Sequence, residues 1–431
     1  MTEIKDSIPE IKSRSEARYI AKRKIKAMLN SICFYVCRIF PIKNNLISVC
    51  TFEGKGGFGC NPKYIVQELH RRNPDYEFVW FVNDMTKEFP DYIKKVPNTT
   101  WSRAYWLTRS KLWIDNYRKP YGTVKRKGQY YINVNHYTIA LKCVGLWRGA
   151  GFSRMAYTVS KNDSDMIDGL VIDSAFCQDA FPKGMVYDGR YLKTGAPRCD
   201  VLYGDRAEYR IAFRRKHNIS EEARIVMFAP TFREGAKDGV RSVYSEIWSI
   251  DFHLLIKTLN KKFGGEWYIC IRVHPQLAEV FEDYMDEEIR DHIINESKSD
   301  DMYEILAGMD AYITDYSSAC FEAAAALIPV FIYADDISQY TKDRGALFWE
   351  MREDNLSNVK CIRSMLPNVE ATLPFSIAMD NRQLEDNIIG FDQEDYKQRV
   401  EKFRRDTKLI FDGSASKRLA DSIEKMIGDK A

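Results

Sequence analysis

The chain has 431 residues, 45% of them hydrophobic and 29% charged, with a formal net charge of +3. That length exceeds one ordinary core and points to two domains. The composition is that of a folded globular protein, and so small a net charge gives no electrostatic case for a nucleic-acid partner. The ten cysteines form no CxxC pair and no Cys/His cluster at zinc spacing, so no structural metal is expected and the compartment reads as reducing and cytosolic.

The N-terminal stretch is the most asymmetric in charge. Residues 12–43 hold Lys12, Arg14, Arg18, Lys22, Arg23, Lys24, Lys26, Arg38 and Lys43 against the single acid Glu16. An apolar run, ICFYV at 32–36, follows, and Ile39 and Phe40 extend it past Arg38. It is shorter than the ~20 residues a membrane span needs, and no small-residue cleavage site follows it. Two readings stand: a basic amphipathic helix lying on an anionic membrane surface, or a helix packed on the protein's own body with a solvated basic face. Cys33 and Cys37, four apart on this helix, read as buried thiols.

From residue 45 strands and helices alternate. A β-branched strand at 46–52 runs into EGKGGFGCNP, where glycines permit close backbone approach, although the spacing matches neither a Walker loop nor a dinucleotide fingerprint. A helix at 62–72, a strand at 77–82, a helix near 104–108 and strands at 111–115 and 129–135 come next, the last leading to His136. A strand at 170–173 and the turn TGAPRCD at 194–200 close this half.

The second half repeats the scheme. A strand at 225–229 ends in APTFR, one at 267–273 in RVHP and one at 311–314 in TDYSS; a fourth at 330–333 precedes a loop with Arg344 and Gly345. Helices are expected at 252–263, 276–285 and 301–307. Such alternation means parallel sheets with right-handed crossovers, whose ligands bind outside the carboxyl ends of the strands. Polar motifs recur at those ends. In TDYSSACFEAAAA, at 314–326, Asp315, Ser317 and Ser318 are expected to cap the free amides of a helix start and so make an anion site, with an ordinary serine N-cap as the plainer account. The fold expected is α/β: two doubly wound Rossmann-like domains in the glycosyltransferase-B architecture, with the active site in the cleft between them. The boundaries are a basic helical segment 1–44, α/β domains 45–205 and 206–393, and a helical tail 394–431.

The motifs NPKYI at 61–65, GAPRCDVL at 195–202, APTFR at 229–233, RVHP at 272–275, TDYSS at 314–318 and RG at 344–345 are together similar to the CDP-glycerol glycerophosphotransferase family. The similarity covers most of the chain after residue 50. It departs at NHYTIALK, 135–142, where the family usually has a WHG-type motif followed by a lysine; the histidine and lysine stay, the tryptophan and glycine do not, which bears on the identity of acceptor and donor.

That resemblance implies transfer of a glycerol or ribitol phosphate from a CDP-polyol to an acceptor hydroxyl on a teichoic-acid or capsule-type chain, with release of CMP and no metal or other cofactor. It makes 45–205 the acceptor side and 206–393 the nucleotide side. His136 is expected as the base and His274, backed by Arg272, as a phosphate donor, with the swapped assignment open. Arg233 and Arg344 would clamp phosphate, Thr231, Asp315, Ser317 and Ser318 would line the donor site, and Asn61 and Lys142 would serve the acceptor. His70, His217, His253 and His292 follow no strand within a motif and read as structural. The expected partners are the CDP-polyol, a lipid-linked or oligomeric polyol-phosphate or saccharide acceptor, and an anionic membrane surface met through residues 12–43, which places the protein on the inner face of a bacterial cell membrane. A homo-oligomer is left open. The alternatives are a nucleotide-sugar glycosyltransferase of the same fold and an inactive membrane-surface scaffold.

Overall fold

The computed structural model describes residues 8–231, 234–237, 240–243, 249–273 and 288–428, with backbone alone at 234–237, 240–243 and 344. The chain divides into two compact units: one takes the chain up to Thr138, Cys143–Asp200 and the segment from Ile410, the other Ile139–Lys142 and Val201–Leu409.

The first unit is built on a seven-stranded sheet of β1 (Lys43–Cys50), β2 (Glu77–Val82), β3 (Ile93–Pro97), β4 (Ser110–Asp115), β5 (Tyr130–Asn133), β6 (Gly169–Ile172) and β7 (Tyr191–Lys193). Their order is β3-β2-β1-β4-β5-β6-β7 and every neighbouring pair is parallel. Strands covered on both faces have no polar side to show, which is why Leu46, Ile47, Val49, Trp80 and Trp113 are all buried. The helix Ala415–Gly428 puts Leu419, Ala420 and Ile423 into the same core. The segment read as a tail from 394 is therefore divided, since the helix Gln393–Thr407 falls in the other unit.

The helix Arg14–Val36 packs on the helix Thr100–Arg109 of this unit. Its buried residues Ile20, Ala27 and Phe34 are seven apart, one face of a helix. Ser31 Oγ donates to the Gly122 carbonyl at 2.9 Å, and a Cβ on Gly122 would lie 2.2 Å from the Ala27 carbonyl oxygen. Only glycine admits that approach, which also takes φ of +91°.

The second unit holds a six-stranded sheet of β8 (Arg224–Phe228), β11 (Trp267–Ile271), β12 (Ile293–Asn295), β13 (Ala311–Thr314), β14 (Val330–Tyr333) and β15 (Ser376–Ala378), in the order β12-β11-β8-β13-β14-β15 and again parallel throughout. Between β8 and β11 the hairpin β9 (Glu234–Lys237) and β10 (Val240–Val243) is antiparallel. The helix Phe252–Phe263 forms over the expected residues, whereas the helix expected at 276–285 lies outside the described residues. Ile139–Lys142 is stitched into this unit: Phe348 N–H donates to the Leu141 carbonyl and Trp349 Nε1–H to that of Ala140, at 2.8 and 2.9 Å. Two doubly wound parallel units on one chain are the architecture expected.

Candidate active site

Both sheets have the same internal order, so each has one switch point where successive crossovers depart in opposite directions: between β1 and β4 in the first unit and between β8 and β13 in the second. Crevices at the carboxyl ends of such strands are where these folds hold ligands.

In the first unit the residue just past β4 is Asn116, whose side-chain oxygen accepts the Phe52 N–H at 2.8 Å and so bridges the switch point. The Asn116 carbonyl lies 2.9 Å from Nδ1 of His136, which follows β5. A carbonyl can only accept, so the proton belongs on Nδ1 and the neutral ring keeps its lone pair at Nε2. The ring is half-buried, stacked on Tyr117 at 5.4 Å and met edge-on by Phe52 at 5.6 Å and Tyr137 at 5.0 Å. Burial pushes the Tyr137 phenol far above its usual range, so that it stays protonated.

The turn bearing His136 is fixed from beneath. Asn135 takes φ of +49°, a conformation asparagine tolerates, and its side-chain oxygen accepts the His136 N–H at 2.8 Å. Asn61, expected to contact the acceptor, is 0% exposed. Its amide donates to the carbonyls of Val134 and Asn135, both at 2.8 Å, and its oxygen accepts the Arg198 N–H at 3.0 Å. The structure gives Asn61 a part other than the acceptor contact expected: an enclosed amide with these bonds supports the His136 turn. Arg198 itself, buried, donates to the His136 carbonyl at 2.5 Å. Sequence reasoning passed over Arg198 because its role is a bond to a backbone atom, although it sits inside GAPRCDVL. Below the 116–119 segment lies a buried ionisable group: Lys119 pairs with Asp115 at 2.8 Å, and Asp163 accepts the Lys119 N–H at 2.9 Å. Burial, with Asp115 adding to it, raises Asp163 to about 7.

In the second unit the residue just past β13 is Asp315. Its carboxylate accepts both the N–H and the hydroxyl of Thr231, each at 2.7 Å, bridging β8 and β13. The expected capping by Ser317 and Ser318 is not what forms. Ser318 has helical dihedrals and makes no side-chain cap, and Ser317 Oγ stands 3.4 Å from the Ala319 N–H, too long and local to carry a cap. The helix Ala319–Ala325 is also short, at seven residues, so its dipole is small. Both serines are half-buried beside Thr231 and Asp315.

Arg272 turns its guanidinium onto the carbonyls of Glu296 and Ser299, both at 2.7 Å, and burial lowers its pKa. These bonds pin the loop after β12, so the structure gives Arg272 a framework part alongside any phosphate contact. His274 and Arg233 lie outside the described residues. Arg344, expected in a loop, ends the helix Ile337–Arg344, which Gly345 closes at φ of +93°; its side chain is outside the description. Lys142 pairs with Leu347 in an antiparallel bridge within the second unit, not in the unit of His136. Of the remaining histidines, His70 stacks on Tyr92 at 3.9 Å and His217 bonds Glu296 at 2.6 Å. Among the described residues no three His, Cys, Asp or Glu side chains gather as metal ligands.

A family model described as CDP-glycerol:poly(glycerophosphate) glycerophosphotransferase matches residues 32–425. The teichoic acid poly(glycerol phosphate) polymerase of Staphylococcus epidermidis is 25% identical over 389 residues, covering 88% of this chain and 51% of that one. The teichoic acid poly(ribitol-phosphate) polymerase of Bacillus spizizenii is 25% identical over 355 residues, 80% of this chain and 54% of that one. The chain thus spans about half the length of these two curated relatives. Among solved structures, the wall teichoic acid polymerase TagF superposes with a TM-score of 0.73 at 22% identity, covering 96% of this chain and 98% of that chain.

Proposed function

The chain belongs to the CDP-glycerol:poly(glycerophosphate) glycerophosphotransferase family, and from that we propose that it moves glycerol phosphate or ribitol phosphate from a CDP-polyol to an acceptor hydroxyl on a teichoic-acid-type chain. The observation that carries the proposal is His136, whose Nδ1 is held by a carbonyl so that Nε2 is the basic atom. In the reaction Nε2 takes the proton of the acceptor hydroxyl as its oxygen attacks the β-phosphorus. The new P–O bond forms as the phosphoanhydride bond breaks, and the electron pair leaves with CMP.

The second unit receives the donor in this reading. Thr231, Ser317 and Ser318 offer hydroxyls at the β8–β13 switch point, and Asp315 is the bridge that holds Thr231 there. His274, Arg233 and Arg344 are assigned to the donor phosphates on their place in the family's motifs, with His274 as base the alternative. Lys142, expected on the acceptor side, is built into the second unit through its bridge to Leu347, and the proposal gives it no acceptor contact.

The membrane part of the proposal rests on the helix Arg14–Val36. Opposite its packed face it exposes Ile25, Met28, Leu29, Ile32 and Tyr35, spaced as one stripe, with Lys22 and Lys24 at its borders. The two sequence readings are compatible: one face packs on the body and the other is free to lie on an anionic leaflet. No helix among the described residues is long and apolar enough to cross a membrane, and a peripheral place on the inner face of the membrane is the reading proposed.

The test is incubation with CDP-glycerol, CDP-ribitol, UDP-sugars and CMP-sugars beside a short polyol-phosphate acceptor, followed by mass spectrometry. Release of CMP with extension by one polyol phosphate supports the proposal. Transfer of a sugar supports the glycosyltransferase alternative, and no transfer from any donor supports the scaffold.

A further inference from the structure

Three consecutive carbonyls on the turn that ends in His136 each accept a hydrogen bond from a buried side chain. Asn61 serves Val134 and Asn135, and Arg198 serves His136. The two donors are themselves joined, because the Asn61 oxygen accepts the Arg198 N–H. They come from segments far apart in sequence: Asn61 from the helix Cys60–Arg72 and Arg198 from the 3₁₀ turn Pro197–Leu202. Both are enclosed, at 0% and 2% exposure.

Resting on the reading of His136 as the base, we infer that Asn61 and Arg198 are positioning residues that act through the backbone of the His136 turn and set which ring nitrogen carries the proton. The ring meets Asn116 at 2.9 Å, a distance the turn beneath it must hold. If the turn shifts, the Nδ1–H···O bond to Asn116 lengthens, and a contact that favours the Nδ1–H form of the imidazole weakens. A misplacement of about 1 Å costs on the order of 10²-fold in rate. Both side chains are enclosed, so the expected loss falls on turnover and not on donor affinity.

The experiment compares wild type with Arg198→Lys, which keeps the charge but not the planar fork, and with Asn61→Asp, which keeps the oxygen for the Arg198 N–H but loses both amide donors. Turnover is measured beside the KM for the CDP-polyol, and ¹⁵N spectra of histidine-labelled protein read the tautomer, the His136 signals being identified by their loss in His136→Gln. Arg198→Lys is expected to lower kcat about 10- to 100-fold with donor KM within about twofold, and to move His136 from the Nδ1–H towards the Nε2–H form. An unchanged tautomer in folded Arg198→Lys and Asn61→Asp overturns the inference, as does a kcat that follows only the folded fraction. The spectra need no turnover. A wild type that releases no CMP defeats the functional reading, and the tautomer comparison still decides this one.

Discussion

The two switch points are built alike and charged differently. In each unit an amide from the loop after the central strand donates to the side chain one residue past the neighbouring strand: Phe52 to Asn116 in the first unit, Thr231 to Asp315 in the second. The first bridge is neutral and its residue uses its own carbonyl to hold a histidine. The second is a carboxylate that also takes the Thr231 hydroxyl. A carboxylate in the place of Asn116 would raise the basicity of the imidazole and favour its charged form, whereas the charge in the second unit strengthens its bonds to N–H and O–H donors. The same fold feature thus holds an imidazole in one unit and a hydroxyl in the other.

The largest effect that can break this comparison is at His136. His136→Ala is expected to lower CMP release by about 10²- to 10⁴-fold with donor binding by calorimetry unchanged, while Thr231→Val weakens donor binding and leaves the pH profile in place. Near-normal turnover by His136→Ala would move the base to His274.

The bridges themselves come next. Asn116→Asp keeps the oxygen that Phe52 uses but puts a charge at a position that is 0% exposed, and should cost about 3 kcal/mol of stability in a thermal melt. Asp315→Asn keeps an acceptor for Thr231 and should cost about 1–2 kcal/mol. Equal costs would show that charge does not distinguish the two bridges.

A third test concerns what supports the first bridge. Burial raises Asp163 to about 7, so its neutral form is the one the fold favours. The stability it contributes is full at pH below about 4, the ordinary aspartate value, and is lost as pH rises through about 7. Asp163→Asn should remove that slope, so that the variant gains on wild type between pH 5 and pH 8 in paired melts. Parallel curves would place the titration elsewhere.

The smallest effect expected is on the helix Arg14–Val36, which belongs to the first unit alone. Ile25 and Ile32 are 57% and 49% exposed. Changing both to Glu should reduce sedimentation with anionic vesicles about tenfold, as apolar burial is lost and negative charge added, and shift stability by no more than about 0.5 kcal/mol each. Undiminished binding would show that the exposed stripe is not a membrane face.

Most of this was legible for a physical reason. Strands buried on both faces must be apolar runs, so β2, β8, β13 and β14 stand out in the chain, and the polar residues after them mark the carboxyl ends. β3 was missed because Ile93–Pro97 places two lysines in a five-residue edge strand, and β15 because three residues carry no pattern. His136 was legible as a titratable group after a strand. Asn61 and Arg198 were not assigned to its support, since a side chain that bonds backbone carbonyls across distant segments leaves no local signature. Ser317 and Ser318 misled in the opposite way: their identity suits a cap, but the chain has already turned helical at Ser318.

The helix Ala415–Gly428 gives biosynthesis a constraint. It packs on the helix Cys60–Arg72 and completes the core of the first unit, yet the ribosome makes it long after that partner and after the strands of the second unit. At about 5–20 residues per second, tens of seconds pass between the two partners. Throughout that interval the apolar face that awaits Leu419 and Ile423 is open, while every strand of the second unit has time to be made. The unit whose strands are made first is therefore the one finished last, and a nascent chain stalled before residue 415 presents an unfinished core that chaperones would hold or proteases remove.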